Sequence, residues 1–236
     1  MVALENTYRA LVPGYARSEA AAETVIGMDS RYRIVPKASG FPERAIGLLT
    51  FNQGRSSFIC TGWLISSNTV ATAGHCVHEG NGGSFSTNVV FFPGRNGNAS
   101  PFGSCTARTL FTVVAWANNG DENFDYGAVK VNCSIGNTTG WFGYFWQAAS
   151  LAGLPVQVSG YPADKEFGTH WSTSGDIAVS EASKTRYKHD TAGGQSGGPV
   201  FETDRSGNFC GGVCANSIHA YGVSNGNNSG TRINES

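Results

Sequence analysis

The segment His189–Phe201, HDTAGGQSGGPVF, sets one serine, Ser196, between glycines, with an aspartate, Asp190, six residues upstream. A serine hydroxyl is a weak nucleophile until a neighbouring base takes its proton, and the base works well only when a third group holds it in one tautomer. A chain that uses Ser196 in this way must also supply a histidine and an acid in special settings. His75 lies in VATAGHCV, after a β-rich run and beside Cys76. Cys60 precedes Cys76 by sixteen residues, and a Cys60–Cys76 bridge would pin the turn that carries His75. Asp125, in ENFDYGAVKV, stands at the mouth of an apolar strand, where a carboxylate can be buried and still reach an imidazole. Asp121 and Glu122 read as exposed loop acids, and His78, His170 and His189 as structural histidines. The glycines have a separate use. A tetrahedral oxyanion needs backbone N–H groups aimed at it with no side chain in the way. Gly194 and Ser196 would donate them, while Gly197 and Gly198 allow the tight backbone. As a phosphate loop the same stretch fails, because it lacks a Lys-Ser/Thr ending and no helical pattern follows.

These residues need elements to hold them, and composition narrows what those are. The 236 residues suffice for one large β domain or two small ones. Sixteen basic and 17 acidic residues give a formal net charge of −1, which leaves no basic field for nucleic acid. Only 14% of residues are charged and 32 are glycine, a balance that suits a turn-rich secreted β protein better than a helical cytosolic one. Six cysteines beside two methionines favour three disulfides in an oxidising, extracellular compartment over six buried thiols. No apolar run reaches the roughly eighteen residues that a membrane-spanning helix needs. Residues 1–23 are Ala/Glu-rich with no strand pattern and no apolar signal core, and read as a leader or pro-segment. At both ends the chain reads as a piece of a longer one.

From Arg44 onward, short β-rich runs alternate with Gly/Asn/Ser turns. Strands are expected at 45–51, 58–65, 69–72, 89–92, 109–116, 126–131, 156–159, 177–180, 185–188, 199–201 and near 212–219. No helical period persists. This many short strands suits a barrel, a sandwich or a pair of barrels. CSIGNTTGWFGYFW (Cys133–Trp146) reads as the connection between two halves, with its aromatic cluster packed between them. Asn98, Asn137 and Asn227 begin sequons that matter only in a eukaryotic secretory route.

TAGHC, DYGAV and GGQSGGPVF together resemble the three signature segments of chymotrypsin-fold serine endopeptidases, from about residue 24 to the end. The resemblance implies an all-β, chymotrypsin-like fold: a double six-stranded antiparallel β-barrel, divided into 24–135 and 136–236. His75 and Asp125 would come from the first barrel and Ser196 from the second, to hydrolyse peptide bonds through an acyl-enzyme. Cys60–Cys76 matches the disulfide that many members place beside the histidine. Cys105–Cys133 and Cys210–Cys214 then remain, which counting connectivities alone does not decide. Protein or peptide substrates are implied, with no cofactor, no metal, no nucleic-acid or membrane partner, and a monomeric state.

Asp190 stands where trypsin-like members hold the acid that pairs with Arg or Lys, which alone predicts cleavage after basic residues. Three departures oppose this. Gln195 stands where those members have an aspartate that salt-bridges the new N-terminus after activation. Ala192 occupies the place of the first cysteine that frames their pocket. VIGMDSR (Val25–Arg31) resembles the mature N-terminus of bacterial glutamyl endopeptidases, some of which also carry Asp-Thr ahead of the serine motif. That branch reads the substrate carboxylate with a histidine, a threonine hydroxyl and the mature α-amino group, which fall here on His219 in SIHAYG, Thr191 and Thr24. A carboxylate in a pocket needs such charge-assisted donors to offset its desolvation. Asp190 must then point away. A mature chain starting at Thr24 would be released by cutting Glu23–Thr24, a bond that a glutamate-specific enzyme can cut itself. The expectation is a secreted zymogen whose mature form cleaves after Glu and, more slowly, after Asp. Its rivals are cleavage after Arg or Lys, and a protease fold that only binds.

Overall fold

The computed structural model describes residues 23–35, 40–202, 209–224 and 226–235. Apart from Glu23, the expected leader lies outside them. β1 (Tyr32–Arg33) is a two-residue edge. The next six strands are β2 (Ile46–Gln53), β3 (Ser56–Leu64), β4 (Thr69–Thr72), β5 (Thr87–Pro93), β6 (Cys105–Thr112) and β7 (Gly127–Val131). They close into an antiparallel barrel in the order β2-β3-β4-β7-β6-β5, with β5 returning to β2. A two-residue turn between paired Gln53 and Ser56 opens it, and Gly54 supplies the φ of +56° that this turn requires. β3 is buried without alternation from Phe58 to Leu64. One face lines the barrel and the other lies against the second half of the molecule.

That half contains β8 (Gly143–Tyr144), β9 (Pro155–Gly160), β10 (Trp171–Ser180), β11 (Lys184–Tyr187), β12 (Pro199–Glu202), β13 (Cys214–Ser224) and β14 (Asn227–Arg232). The path β10-β11-β14-β13-β12-β9 closes because β9 also pairs with β10. The molecule is thus two six-stranded antiparallel barrels, as expected. β1 adds to the edge of β10 in the second barrel, and β8 runs parallel to β13.

Aromatic side chains join the halves. Phe142, from the connecting segment, stands edge-on to Trp63 of β3 at 5.4 Å and to Phe201 of β12 at 5.3 Å. All three are buried, and each contributes about 2–3 kcal/mol by leaving water. The rest of the expected aromatic cluster divides by side. Phe145 is buried, while Trp141, Tyr144 and Trp146 are about half exposed, because neighbouring residues of this extended segment face opposite ways. All six cysteines are bonded, as Cys60–Cys76, Cys105–Cys133 and Cys210–Cys214. Closing the 16-residue span to Cys76 is worth about 3 kcal/mol on the loop-entropy account.

Two departures from the expected strands bear on function. The run expected at 109–116 ends at Thr112, and Val114–Asn119 is a short helix, α1, closed by Gly120 at φ +61°. β-propensity yields here to packing: Trp116 turns inward, donates from Nε1 to His78 O at 3.0 Å, and lays its ring edge-on beside His75. β14, NNSGTR, was not expected at all. It is polar, yet Asn228 to Arg232 are buried, with side-chain partners supplied by distant elements.

Candidate active site

The cleft between the barrels gathers the residues singled out above. β4 runs into a single helical turn, Gly74–Cys76, which carries His75 and is tied to β3 through Cys76 and Cys60. Gln53 Nε2 holds the same turn by donating to His75 O at 2.9 Å. Asp125 precedes β7 and is fully buried. Its Oδ2 lies 2.7 Å from His75 Nδ1, and its Oδ1 accepts from the His75 backbone N–H at 2.8 Å. Thr231 of β14 fixes the aspartate from the other barrel, donating from Oγ1 to its carbonyl at 3.1 Å.

Burial disfavours a charge on the His75 imidazole, but the Asp125 carboxylate outweighs it by charge and hydrogen bond, with a smaller contribution from Glu23. The result is a pKa above the ordinary 6.5. A base must be neutral to accept a proton, so a raised pKa moves the onset of activity to higher pH. kcat/KM measured across roughly pH 5–9 is therefore expected to climb with a midpoint above that of an ordinary histidine. A midpoint below it would mean that Asp125 does not govern the imidazole. Burial likewise disfavours the Asp125 carboxylate, and the His75 charge and hydrogen bond overcome it, leaving its pKa below the usual range.

Ser196 sits on the loop before β12, and Thr61 of β3 clamps that loop to the first barrel. The Thr61 N–H donates to Ser196 O at 2.8 Å, and its Oγ1 to Gly194 O at 2.9 Å. Gly194 and Gly197 take φ values of +98° and +84°. A Cβ on Gly197 would collide with Thr72 Oγ1 and the Thr61 carbonyl. Within the loop, Gln195 N–H and Gly198 N–H bond to the carbonyls of Ala192 and Gln195. Among the described residues, the Gly194 and Ser196 N–H groups take no backbone carbonyl, which suits donors kept for an oxyanion.

Behind the serine lies the candidate specificity pocket. His219 of β13 is bound to the Ser196 loop through its backbone: Gly197 N–H donates to His219 O at 2.7 Å, and His219 N–H to Gly198 O at 2.9 Å. Its ring is fully buried, with Nδ1 2.7 Å from the Tyr187 hydroxyl. Thr191 is also fully buried, and its Oγ1 has no partner among the described residues. The pocket is occupied by the chain itself. Glu23 Oε1 accepts from Ser196 Oγ at 2.5 Å and lies 3.3 Å from His219 Nε2. With Ser196 turned to Glu23, His75 Nε2 has no partner among the described residues.

Thr24 follows at once, and Asn228 of β14 grips it at both ends. Thr24 N–H donates to Asn228 Oδ1 at 3.2 Å, and Asn228 Nδ2 donates to Thr24 O at 2.7 Å and to His189 O at 2.8 Å. Asp190 is spent on the same N-terminal run. Its Oδ1 accepts from Ile26 N–H at 2.6 Å, and its Oδ2 from Ser30 N–H at 2.7 Å and Ser30 Oγ at 2.6 Å. Arg31 anchors the far end of that run between Asp29 and Asp164. Sequence reasoning missed Thr61, Tyr187 and Asn228, which lie in polar or mixed strands with no motif around them.

The three remaining histidines have structural partners. His78 Nδ1 accepts from Gly80 N–H at 3.0 Å, His189 Nε2 lies 3.1 Å from Val156 O, and His170 Nε2 lies 2.7 Å from Ser159 Oγ. Burial drops the His170 pKa to about 3, so it stays neutral. Cys60, His75 and Cys76 bring potential metal ligands within 4.8 Å of one another. Both sulfurs are in the disulfide, however, and only a thiolate binds metal.

Comparison with known proteins agrees with this geometry. A family model described as trypsin-like peptidase domain matches residues 60–211. The chain is 44% identical over 220 residues to a glutamyl endopeptidase of Bacillus licheniformis, covering 92% of this chain and 68% of that protein. It is 40% identical over 236 residues to a Bacillus subtilis protein named extracellular metalloprotease, covering 97% and 73%. Among solved structures, a Glu endopeptidase in complex with MPD superimposes with a TM-score of 0.77 at 29% identity, covering 89% of this chain and 94% of that one.

Proposed function

The chain belongs to the glutamyl endopeptidase branch of the trypsin-like, chymotrypsin-fold serine proteases, and from that premise we propose an extracellular serine endopeptidase that hydrolyses peptide bonds after Glu and, more slowly, after Asp. On this reading residues 1–23 are the leader, 24–135 carry the histidine and aspartate, and 136–236 carry the nucleophile and pocket. Ser196 attacks the scissile carbonyl while His75 Nε2 takes its proton. Asp125 holds Nδ1–H and stabilises the imidazolium, and the Gly194 and Ser196 N–H groups receive the oxyanion. His75 then protonates the departing amine. Water, deprotonated by the same imidazole, releases the acyl group. The substrates are peptides and proteins, and the enzyme works as a monomer with no cofactor.

The observation that carries glutamate specificity is the seating of Glu23, a glutamate side chain between the nucleophile and His219. His219 Nε2, Thr191 Oγ1 and, after cleavage of Glu23–Thr24, the α-ammonium of Thr24 are the donors for a substrate carboxylate in its place. Together they offset a desolvation that would otherwise cost several kcal/mol. Asp190 supports this reading from outside the pocket, by anchoring the segment that delivers Thr24.

The test is a set of matched peptides that differ only in the residue before the scissile bond: Glu, Asp, Gln, Arg, Lys and Phe. Ser196→Ala serves as the blank. Glu is expected to be cut fastest, and Asp190→Asn to lower kcat/KM on Glu about tenfold by loosening the N-terminal run, with no cleavage after Arg in either protein. Cleavage after Arg that Asp190→Asn abolishes would assign the pocket to Asp190 instead. No cleavage of any peptide by the folded, processed protein would leave a fold that only binds.

A further inference from the structure

Resting on that pocket reading, we infer that Tyr187 is a specificity-positioning residue: its hydroxyl donates to His219 Nδ1 and so holds His219 in the tautomer that presents Nε2–H to the substrate carboxylate. The buried Tyr187 ring stands on β11, and its Oη lies 2.7 Å from Nδ1. Either atom could in principle be the donor, and two features decide the direction. The first lies on the far side of the imidazole, where Nε2 stands 3.3 Å from Glu23 Oε1, within reach of its charge though not aligned for a hydrogen bond in this seating. A carboxylate only accepts, so a lone pair on Nε2 would be repelled, and Nε2 must carry the proton. The second lies at Tyr187. Among the described residues, its hydroxyl has His219 Nδ1 as its sole hydrogen-bond partner. Donation by Nδ1–H would leave a fully buried phenolic proton with no acceptor, a loss worth about 1–3 kcal/mol. Both ends of the ring therefore demand the same tautomer. Burial first, and the Glu23 charge second, raise the Tyr187 pKa well above 10, so the hydroxyl keeps its proton.

The consequence is a division of labour in the pocket. His219 recognises the carboxylate as an oriented Nε2–H donor, its ring fixed by the Tyr187 hydroxyl at Nδ1. The positive charge comes from the Thr24 α-ammonium. Among the described residues the Tyr187 hydroxyl bonds to His219 and not to Glu23 or Ser196, so Tyr187 acts through His219. His189, whose ring packs edge-on against Tyr187 at 5.0 Å, is bonded to Val156 O on β9 and stands behind the relay.

Three measurements test the assignment. In the full chain carrying Ser196→Ala, which cannot cut Glu23–Thr24, ¹⁵N NMR of the imidazoles is expected to show the His219 proton on Nε2 and none on Nδ1. His219→Asn identifies the signal by its loss. Tyr187→Phe is expected to replace that signature with a tautomer mixture. In the active protein, Tyr187→Phe should raise KM for the Glu peptide about tenfold with kcat little changed, the equivalent of one lost hydrogen bond. Inactivation by diisopropyl fluorophosphate, which reads Ser196 and His75 without filling the pocket with a carboxylate, should stay within about twofold. A proton on His219 Nδ1 in the Ser196→Ala protein overturns the proposal. So does an unchanged KM, or a fluorophosphate rate that falls together with kcat/KM, which would mark general damage. If the active protein shows no preference for Glu, the pocket reading itself fails, while the NMR spectrum still reports the Tyr187–His219 bond separately.

Discussion

Replacing Asp125 with asparagine is expected to lower kcat about 10⁴-fold with the fold intact. The size of the effect comes from how fully both carboxylate oxygens are used. Oδ2 faces His75 Nδ1 at 2.7 Å and Oδ1 accepts from the His75 backbone N–H at 2.8 Å. Both partners are donors, and an amide offers one acceptor and one NH₂. Whichever way the asparagine turns, a donor meets a donor, and the least costly remedy is to move the imidazole proton from Nδ1 to Nε2. That tautomer cannot take a proton from Ser196. The substitution also removes the charge that holds the His75 pKa up. Packing should change little, because Asp125 and Asn fill the same volume and Thr231 holds the backbone carbonyl, not the side chain. Single-turnover kinetics on the Glu peptide, with thermal unfolding as the control for folding, measures this. A loss of tenfold or less would mean that His75 does not depend on Asp125 for its tautomer.

Substituting His219 with alanine is expected to lower kcat/KM on Glu peptides by about 10²–10³ and to shrink the preference for Glu over Phe by a similar factor. The imidazole is fully buried, so its loss leaves a desolvated substrate carboxylate facing a hole instead of a donor. The Tyr187 hydroxyl loses its partner in the same step. The main chain at His219 bonds to Gly197 and Gly198 from both sides, and alanine keeps those bonds. The nucleophile loop should therefore hold its shape, and slow cleavage after Phe should survive. Measuring both peptides on the same preparation separates the outcomes. Equal losses on Glu and Phe would place His219 in loop geometry and remove it from recognition.

The three segments around His75, Asp125 and Ser196 were legible because their constraints are local. A nucleophile loop that must pass against Thr61 and Thr72 tolerates only glycine at Gly197, and that need is written beside Ser196 itself. A histidine on a single turn after β4 is announced by the cysteine next to it. The strand pattern by itself left a barrel, a sandwich or a pair of barrels open, and the double barrel followed from the resemblance carried by those three segments. The strand expected at 109–116 misled because Val113 and Trp116 have β-propensity, while the position of Trp116 beside His75 is a property of the assembled cleft.

What the linear chain determined by itself was therefore an all-β frame of short strands and the order His75, Asp125, Ser196, with the two barrels following from the resemblance of those segments. What only the tertiary structure shows is which distant groups hold the residues around Ser196. Asp190 could serve a basic substrate or an N-terminal anchor, and the choice rests on Ile26 and Ser30, 164 and 160 residues away. Asn228 grips Thr24 across 204 residues, and Tyr187 meets His219 across 32. NNSGTR reads as a loop because its residues are polar, yet it becomes β14 once the closed barrel brings His189, Thr24 and Asp125 within reach of its side chains. The physical reason is common to all of these. A polar group can be buried only where a partner waits, and no stretch of sequence states where a partner from the far end of the chain will come to rest.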